Sequence, residues 1–184
     1  MKRFLGFLCA LLLPLTALAE ALPTTRDGVV TRGGVAEASA QTQFVLEGCY
    51  TLWYTDALVP VEGADVPERS FMSTSGADDV YLTITPVTAE GAELADLQDA
   101  AEANLAASGW ESYTIEPLAF EGGWENRACE AITEDSMALF VAVRLDEKLY
   151  VCSAVFPMAE KNDVGADIVA AIASLNPHAE DEEP

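Results

Sequence analysis

Residues 136–177 read SMALFVAVRLDEKLYVCSAVFPMAEKNDVGADIVAAIASLNP, and this stretch decides the fold. It predicts a strand over residues 137–145, a tight turn at Asp146 and Glu147, a second strand over residues 149–156 and a helix over residues 164–175. Both strands are apolar at nearly every position, so neither face of the hairpin can be left to water. The hairpin therefore predicts a sheet that is covered on both sides.

The chain before the hairpin supplies more strands and one helix. β-rich segments occur at residues 44–46, 49–54, 71–73, 80–85, 113–120 and 125–133. A helix is predicted over residues 93–108, because leucine and alanine recur there at helical spacing and Gly109 follows. With one helix available for each face, the predicted fold class is α+β. In this prediction an α/β/α sandwich holds a mainly antiparallel sheet covered by helices on both faces.

The sequence outside these strands and helices divides the chain into four predicted segments. Lys2 and Arg3, an apolar run over residues 4–15 and the triplet Ala-Leu-Ala at 17–19 are typical of a cleaved signal peptide. We therefore expect export to the periplasm or the extracellular space, with no stable membrane insertion after cleavage. The predicted divisions are a signal peptide (1–19), a flexible leader (20–43), a single α+β domain (44–177) and an acidic disordered tail (178–184). A short strand at residues 28–32 is the alternative within the leader.

The charge of the chain restricts its partners. With 31 acidic and 9 basic residues the formal net charge is −22, and signal cleavage would remove two of the basic residues. Such a chain repels phosphates, so nucleic acid is not an expected partner. An unknown protein or small ligand of the cell envelope is expected instead.

Cysteines 49, 129 and 152 remain after the predicted cleavage, and an odd number leaves at least one thiol unpaired within the chain. A turn centred on Asp146 and Glu147 places Cys152 opposite Val141, and the preceding turn places Cys129 opposite Phe140. Cys129 and Cys152 then point to opposite faces of the sheet. Cys49 paired with either of them, or three free thiols, remain the alternatives.

Five segments together resemble the PsbP-like fold, which is shared by photosystem II extrinsic proteins and bacterial DcrB-like envelope proteins. These segments are DVYLTI at 79–84, GW at 109–110, FEGG at 120–123, KLYVC at 148–152 and IASL at 172–175. The resemblance lies in hydrophobic pattern and element order, and it covers roughly residues 44–175. It implies a sandwich around an antiparallel sheet and an accessory or binding role, with no shared reaction and no ligand residues to carry over.

Sequence motifs for catalysis are absent. The single histidine, His178, follows Pro177 in the predicted tail, which is a poor place for a catalytic base. No nucleophile elbow, zinc-protease motif, phosphate loop or dinucleotide fingerprint occurs. No catalytic residue and no cofactor are therefore predicted. The many glutamates leave a carboxylate-dependent envelope hydrolase as one alternative.

Candidate binding residues are aromatic or acidic. Trp110 and Trp124 each stand in a Gly-Trp-Glu triplet near a strand end, and Trp53 lies in a strand. Such residues can stack on a ligand or anchor a protein interface, although core packing is the simpler explanation. Asp78 and Asp79 beside Gly76 form a candidate metal site, so weak calcium binding is another alternative. The leading expectation is an exported, non-catalytic accessory or binding protein whose recognition surface includes residues 56–69 and the turns around Trp110 and Trp124.

Overall fold

The computed structural model describes residues 24–61, 69–74 and 80–178. Its strands are, in chain order, β1 (Thr25–Arg32), β2 (Val35–Leu46), β3 (Tyr50–Thr55), β4 (Leu58–Pro60), β5 (Arg69–Ser73), β6 (Tyr81–Pro86), β7 (Glu111–Ile115), β8 (Asn126–Ile132), β9 (Ser136–Leu145), β10 (Lys148–Pro157) and β11 (Asn176–Pro177). Its helices are α1 (Leu94–Ala107) and α2 (Val164–Ala173), with a 3-10 turn at Met158–Glu160. The predicted signal peptide lies outside the described residues. No helix within the described ranges has the length and apolarity needed to cross a lipid bilayer.

The strands form two sheets in which every described pair is antiparallel. The large sheet has the order β4-β5-β6-β10-β9-β8-β7, and the small sheet has the order β1-β2-β3-β11. Strands β7 to β10 follow one another in the chain and in the sheet, as predicted for a run of four consecutive strands. Strand β7 begins at Glu111 and ends at Ile115, which is earlier than the predicted segment 113–120.

The central hairpin has the predicted register. Cys152 on β10 lies opposite Val141 on β9, and Cys129 on β8 lies opposite Phe140 on β9. Cys129 and Cys152 therefore point to opposite faces of the large sheet, as the sequence predicted. All three described cysteines are free thiols, so neither of the possible disulfides from Cys49 is formed.

The main core lies on one face of the large sheet, which we call the inner face. Val141 and Cys152 point to this face and are fully buried against Ile168 and Ile172 of α2 and against Leu52 of β3. Helix α2 packs against β10 and also against β3 and β1 of the small sheet. The small sheet and α2 thus cover the inner face together.

The opposite face of the large sheet, which we call the outer face, carries a smaller core under α1. Leu94 of α1 packs with Ala142 and Leu149, with Leu97 and Phe140 at the margin. Helix α1 contacts β7, β8 and β9. It therefore covers one half of the outer face.

The coarser fold prediction is confirmed: the protein is α+β with a mainly antiparallel sheet. The helix-covered α/β/α sandwich is not confirmed in that form. The inner face is covered by α2 together with a second sheet, and the outer face carries only α1 among the described residues. The hydrophobic pattern showed which faces need cover but could not show how many strands one helix reaches.

A flexible leader is the wrong description for residues 24–43. Strands β1 and β2 form a regular hairpin through Gly33 and Gly34, and both glycines have the positive φ that such a turn favours. Arg32 at the end of β1 donates two hydrogen bonds to the Asp167 carboxylate of α2, at 2.9 and 2.8 Å. A contact between residues that are 135 positions apart produces no hydrophobic periodicity in the local sequence, so the sequence did not predict this hairpin.

The predicted disordered tail also needs a correction at its first residue. His178 is half-buried, and its backbone N–H donates to the Cys49 carbonyl oxygen at 3.3 Å. This contact continues the pairing of β11 with β3. Residues 179–184 of the predicted tail lie outside the described ranges.

Candidate functional site

Trp53 is placed on β3 beneath a charged side chain. The Arg26 guanidinium carbon lies 4.5 Å from the centroid of the Trp53 ring. Arg26 in turn donates two hydrogen bonds to the Glu121 carboxylate, at 2.8 and 2.5 Å. A cation held in this way over an indole face stabilises the small sheet, and it covers the ring face that a ligand would stack on.

Trp124 is held between a glycine and an asparagine. A side chain at Gly122 would come within 2.2 Å of the Trp124 indole nitrogen, so the ring lies directly over this glycine. The indole N–H donates to the Asn176 side-chain oxygen at 3.4 Å. The ring is half-buried and packs on the main core, which accounts for its position without a ligand.

Trp110 lies apart from the other two tryptophans. It lies three residues after the end of α1, and its backbone N–H donates to the Leu105 carbonyl oxygen at 3.0 Å. Trp53 and Trp124 both lie near the C-terminal end of α2. Glu121, which binds the arginine over Trp53, donates its backbone N–H to the carbonyl oxygen of Ala173, the last residue of α2. Asn176, which binds Trp124, follows three residues later. The tryptophans therefore lie in two separate places, and none of them lines the apolar groove beside α1.

The predicted metal ligands Asp78 and Asp79 lie outside the described residues, as do residues 62–68 of the predicted loop over residues 56–69. Within the described ranges no group of three or more His, Cys, Asp or Glu side chains is arranged to hold a metal ion. The calcium prediction therefore stays a prediction.

The half of the outer face that α1 does not cover carries one row of exposed apolar side chains, which the sequence did not predict. Val59, Met72, Tyr81 and Val155 lie opposite one another on the adjacent strands β4, β5, β6 and β10. Their exposed fractions are 44%, 37%, 41% and 43% respectively. Four large apolar side chains in one row across four strands form a continuous stripe, which we call the apolar row. A stripe of this kind marks an interaction surface more often than scattered exposed valines do.

A groove runs between the apolar row and α1. It has a volume of about 250 Å³ and is lined by Ala101 and Leu105 of α1, by Ala138 and Phe140 of β9, and by Val155 of the apolar row. The groove joins the covered half of the outer face to the exposed half. An apolar side chain placed there would contact both α1 and the sheet.

Helix α1, which forms one wall of the groove, carries acidic side chains outside the groove itself. Helix α1 carries Asp96, Asp99 and Glu102 and contains no lysine or arginine. Asp96 and Asp99 are exposed. Carboxylates beside an apolar groove favour a ligand or partner that combines apolar and cationic groups.

A weak signal for the apolar row was present in the sequence. The alternation in β6 placed Tyr81 on the face opposite Leu82, and Val155 occupies the same face of β10. A helix is about 10 Å across, whereas the seven strands of the large sheet span roughly 34 Å. Comparing these widths would have shown that one helix cannot cover the outer face.

Buried ionisable groups in the described ranges are few and are paired or protonated. The one buried carboxylate is Asp167, which accepts hydrogen bonds from Arg32 and from the Thr55 hydroxyl at 2.8 Å. This hydrogen bonding raises the pKa of Arg32. Burial raises the pKa of Cys129 to about 11, with a contribution from the charge of Glu102, and the pKa of Cys152 to about 12. Both thiols are therefore uncharged at neutral pH.

Comparison with known proteins bears on the fold. No protein-family model matches the chain, and no curated protein matches it significantly in sequence. The solution structure of cyanobacterial PsbP (CyanoP) from Synechocystis sp. PCC 6803 is similar in structure, with a TM-score of 0.52 and 16% sequence identity. The match covers 79% of this chain and 96% of that one. A crystal structure from Bacteroides thetaiotaomicron VPI-5482 matches at a TM-score of 0.47 and 12% identity, over 77% of this chain and 50% of the other.

At 16% identity the similarity to cyanobacterial PsbP concerns the fold alone. The sequence prediction of a fold-level PsbP resemblance is confirmed, and this chain has a PsbP-like fold.

Proposed function

We propose that this chain is an exported, non-catalytic accessory protein that binds a partner protein through the exposed half of its outer face. The observation that carries the proposal is the apolar row of Val59, Met72, Tyr81 and Val155, which crosses four strands in register while remaining about two-fifths exposed. Burying such a row in a complex contributes about 25 cal/mol for each Å² of apolar surface.

The partner segment that fits this surface is a basic amphipathic helix. Strands β10, β6, β5 and β4 span roughly 19 Å, which leaves room for a helix of about 10 Å diameter beside α1. The apolar side of that helix would lie on the apolar row and reach Leu105 in the groove. Its basic side would face Asp96 and Asp99 on α1. The net charge of −22 on the whole chain would attract the same basic side.

A second copy of the chain is a poorer occupant of the same surface. Two copies would bring two acidic α1 helices and two strongly negative chains together, and like charges at an interface oppose association. The partner helix would also complete the α/β/α sandwich, because it would join α1 in one helical layer on the outer face. The sandwich is thus part of the proposal for the complex.

The location of the protein belongs to the same proposal. The segment over residues 1–19 supports export, and the periplasm or the extracellular space is the proposed location. A hydrolase that uses two carboxylates needs two buried acids that face each other. Asp167 is the one buried carboxylate in the described ranges, and it accepts hydrogen bonds from Arg32 and Thr55. The described residues therefore favour the accessory role over the hydrolase.

The first prediction concerns binding of a model helix. A synthetic peptide with leucines on one side and lysines on the other should bind the purified chain, as measured by isothermal titration calorimetry. Val155→Ser should weaken binding about tenfold, because it removes the apolar side chain that the row and the groove share. Val29→Ser is the matched control, since Val29 is an exposed valine on β1, and it should leave the affinity unchanged.

Two further variants separate apolar docking from charge attraction. Val155→Asp makes the chain more acidic, so binding driven by charge alone would strengthen, whereas docking on the apolar row would be lost. An acidic peptide with the same leucines should not bind. Equal affinity for the wild-type chain and Val155→Asp, or self-association of the chain through this surface in sedimentation experiments, would contradict the proposal.

A further inference from the structure

Strand β2 of the small sheet has an open edge that the proposed binding of a partner helix does not use. Its last pair with β3 joins Gln41 to Thr55. Residues 35–40 of β2 therefore extend past the end of β3, while they pair with β1 on their other side. No strand within the described ranges pairs with them on the β3 side. We call residues 35–40 the overhang.

Alternate residues of the overhang direct their backbone polar groups to the open side. The Gln43 N–H donates to the Thr24 carbonyl oxygen at 2.8 Å, towards β1. Successive strand residues direct their N–H and C=O groups to opposite sides, so the odd-numbered residues of β2 bond to β1. The N–H and C=O groups of Ala36 and Ala38 therefore point to the open side. Both alanines are exposed, so a further strand can reach these groups.

The overhang lacks two features that protect other ends of the sheets. Strands β4 and β11 are only three and two residues long, and they end in Pro60 and Pro177. Short edge strands and proline both hinder pairing with another strand. The overhang contains no proline and no lysine or arginine. An exposed edge of this kind is a template for an added strand.

Glu37 determines which added strand fits. Its side chain is 53% exposed, and its neighbour Arg32, at 3.4 Å, is shared with the buried Asp167. The residue opposite Glu37 in an added antiparallel strand belongs to a non-hydrogen-bonded pair, in which side chains approach closely. A lysine or arginine there would be attracted to Glu37. Opposite Ala36 and Ala38 the added strand meets only methyl groups, so large apolar side chains have room.

A second copy of the chain is a poorer occupant of the overhang. The antiparallel register that pairs the open residues only with one another joins Ala36 of one copy to Ala38 of the other. This register places the Glu37 residues of the two copies directly opposite each other, and like charges in that position are destabilising. If Ala38 of each copy met Ala38 of the other, residue 35 would take the place of Thr55 opposite Gln41.

We propose that the overhang is a site of β-strand addition for an extended segment of another protein. The segment carries a basic residue opposite Glu37 and apolar residues opposite Ala36 and Ala38. Hydrogen bonds between the main chains hold the segment, and its alternating side chains select it. The net charge of −22 favours the same basic segment. The site shares no residue with the apolar row, so the two binding sites are separate.

The test uses a synthetic pentapeptide, SVKVS, with blocked ends and the purified chain labelled with ¹⁵N. We expect the amide signals of Ala36 and Ala38 to shift on titration and their hydrogen exchange to slow. N-methylation of both valines removes the N–H groups that face the overhang, so it should weaken binding at least about tenfold. N-methylation of the lysine removes an N–H that points away, and it should leave the affinity unchanged.

Substitutions in the chain test the same edge. Ala38→Pro removes the N–H on the open side and takes no hydrogen bond from the pairing with β1, so it should abolish binding. Val29→Pro is the matched control, because Val29 lies directly opposite Ala38 and directs its N–H away from β2. It should leave the affinity for SVKVS unchanged, and so should Val155→Ser on the apolar row.

Two results would overturn the proposal. Equal affinities for the peptide with N-methylated valines and the unmodified peptide would exclude strand pairing, and this comparison uses the unaltered chain, so it does not depend on the folding of Ala38→Pro. Dimerisation of the chain that Ala38→Pro abolishes would assign the overhang to a second copy instead.

Discussion

At the residue scale, the contact between Arg32 and Asp167 joins the first described hairpin to the last helix. The Asp167 side chain is 2% exposed and accepts two hydrogen bonds from the Arg32 guanidinium, which is 25% exposed, and one from Thr55. Arg32 also donates to the Asp163 carbonyl oxygen at 2.8 Å. A buried carboxylate with all of these partners is stable only while its cation is present.

The pair gives a prediction for stability. Arg32→Met keeps the aliphatic stem but leaves the Asp167 charge buried without its cation, so the free energy of unfolding should fall by about 2–4 kcal/mol. Urea denaturation measures this change. Arg127→Met is the control, because Arg127 is exposed and has no salt bridge among the described residues, and it should change stability by less than about 0.5 kcal/mol. Similar losses for the two variants would show that Asp167 does not need Arg32.

The buried thiols give a prediction for pH. Both stay protonated in the folded chain up to a pKa of about 11 for Cys129 and about 12 for Cys152, whereas the unfolded thiols ionise above 9.0. The folded state then binds more protons than the unfolded state, so stability is complete below pH 9 and falls as the pH rises above it. Each thiol contributes a slope of up to about 1.4 kcal/mol per pH unit.

Urea denaturation under reducing conditions, at about pH 8 and about pH 10, tests this slope. Cys129→Ala should make the decline in stability shallower, because one thiol no longer ionises on unfolding. A decline that is unchanged after both Cys129 and Cys152 are replaced would show that other groups cause it.

At the element scale, the central hairpin depends on the geometry of its turn. Asp146 has a φ of 52°, in the left-handed region that residues with a β-carbon disfavour. Asp146→Ala should therefore destabilise the protein by about 1 kcal/mol, and Asp146→Gly should be neutral or stabilising. Thermal and urea denaturation of both variants measure the effect. Glu147→Ala should change little, and an equal loss for Asp146→Gly and Asp146→Ala would contradict the turn geometry as the cause.

The elements differ in how far the sequence predicted them. The register of β9 and β10, and with it the opposite orientation of Cys129 and Cys152, followed from apolar runs around a two-residue turn. Helix α1 followed from its spacing of leucine and alanine. The hairpin of β1 and β2 was missed, and β1 was given only as the alternative strand at residues 28–32, because Arg32 contacts its partner Asp167 135 residues away, where no local pattern reports it.

The candidate surfaces were harder to predict than the strands, for a related reason. The apolar row requires Val59, Met72, Tyr81 and Val155 to lie opposite one another, and the register of β4, β5, β6 and β10 is set by strand order rather than by any one segment.

At the scale of the whole molecule, cover on the two sides of the large sheet is unequal. The inner face is buried by α2 and the small sheet, whereas α1 on the outer face packs mainly on β7, β8 and β9 and contacts β10 at Leu149. Because the chain carries a net charge of −22, a partner for the exposed half should be cationic as well as apolar. Our central claim is that a basic amphipathic helix occupies this half.

Site-specific photo-crosslinking tests this claim most directly. Tyr81 on the outer face is 41% exposed, and Tyr113, which donates to Glu130 on the inner side of β8, is 39% exposed. Each tyrosine is replaced in turn by benzoylphenylalanine, and each variant is irradiated with the basic amphipathic peptide. A strong crosslink is expected from position 81 and none from position 113. Equal crosslinking from both positions, or crosslinking from position 113 alone, would contradict the placement of the helix on the outer face.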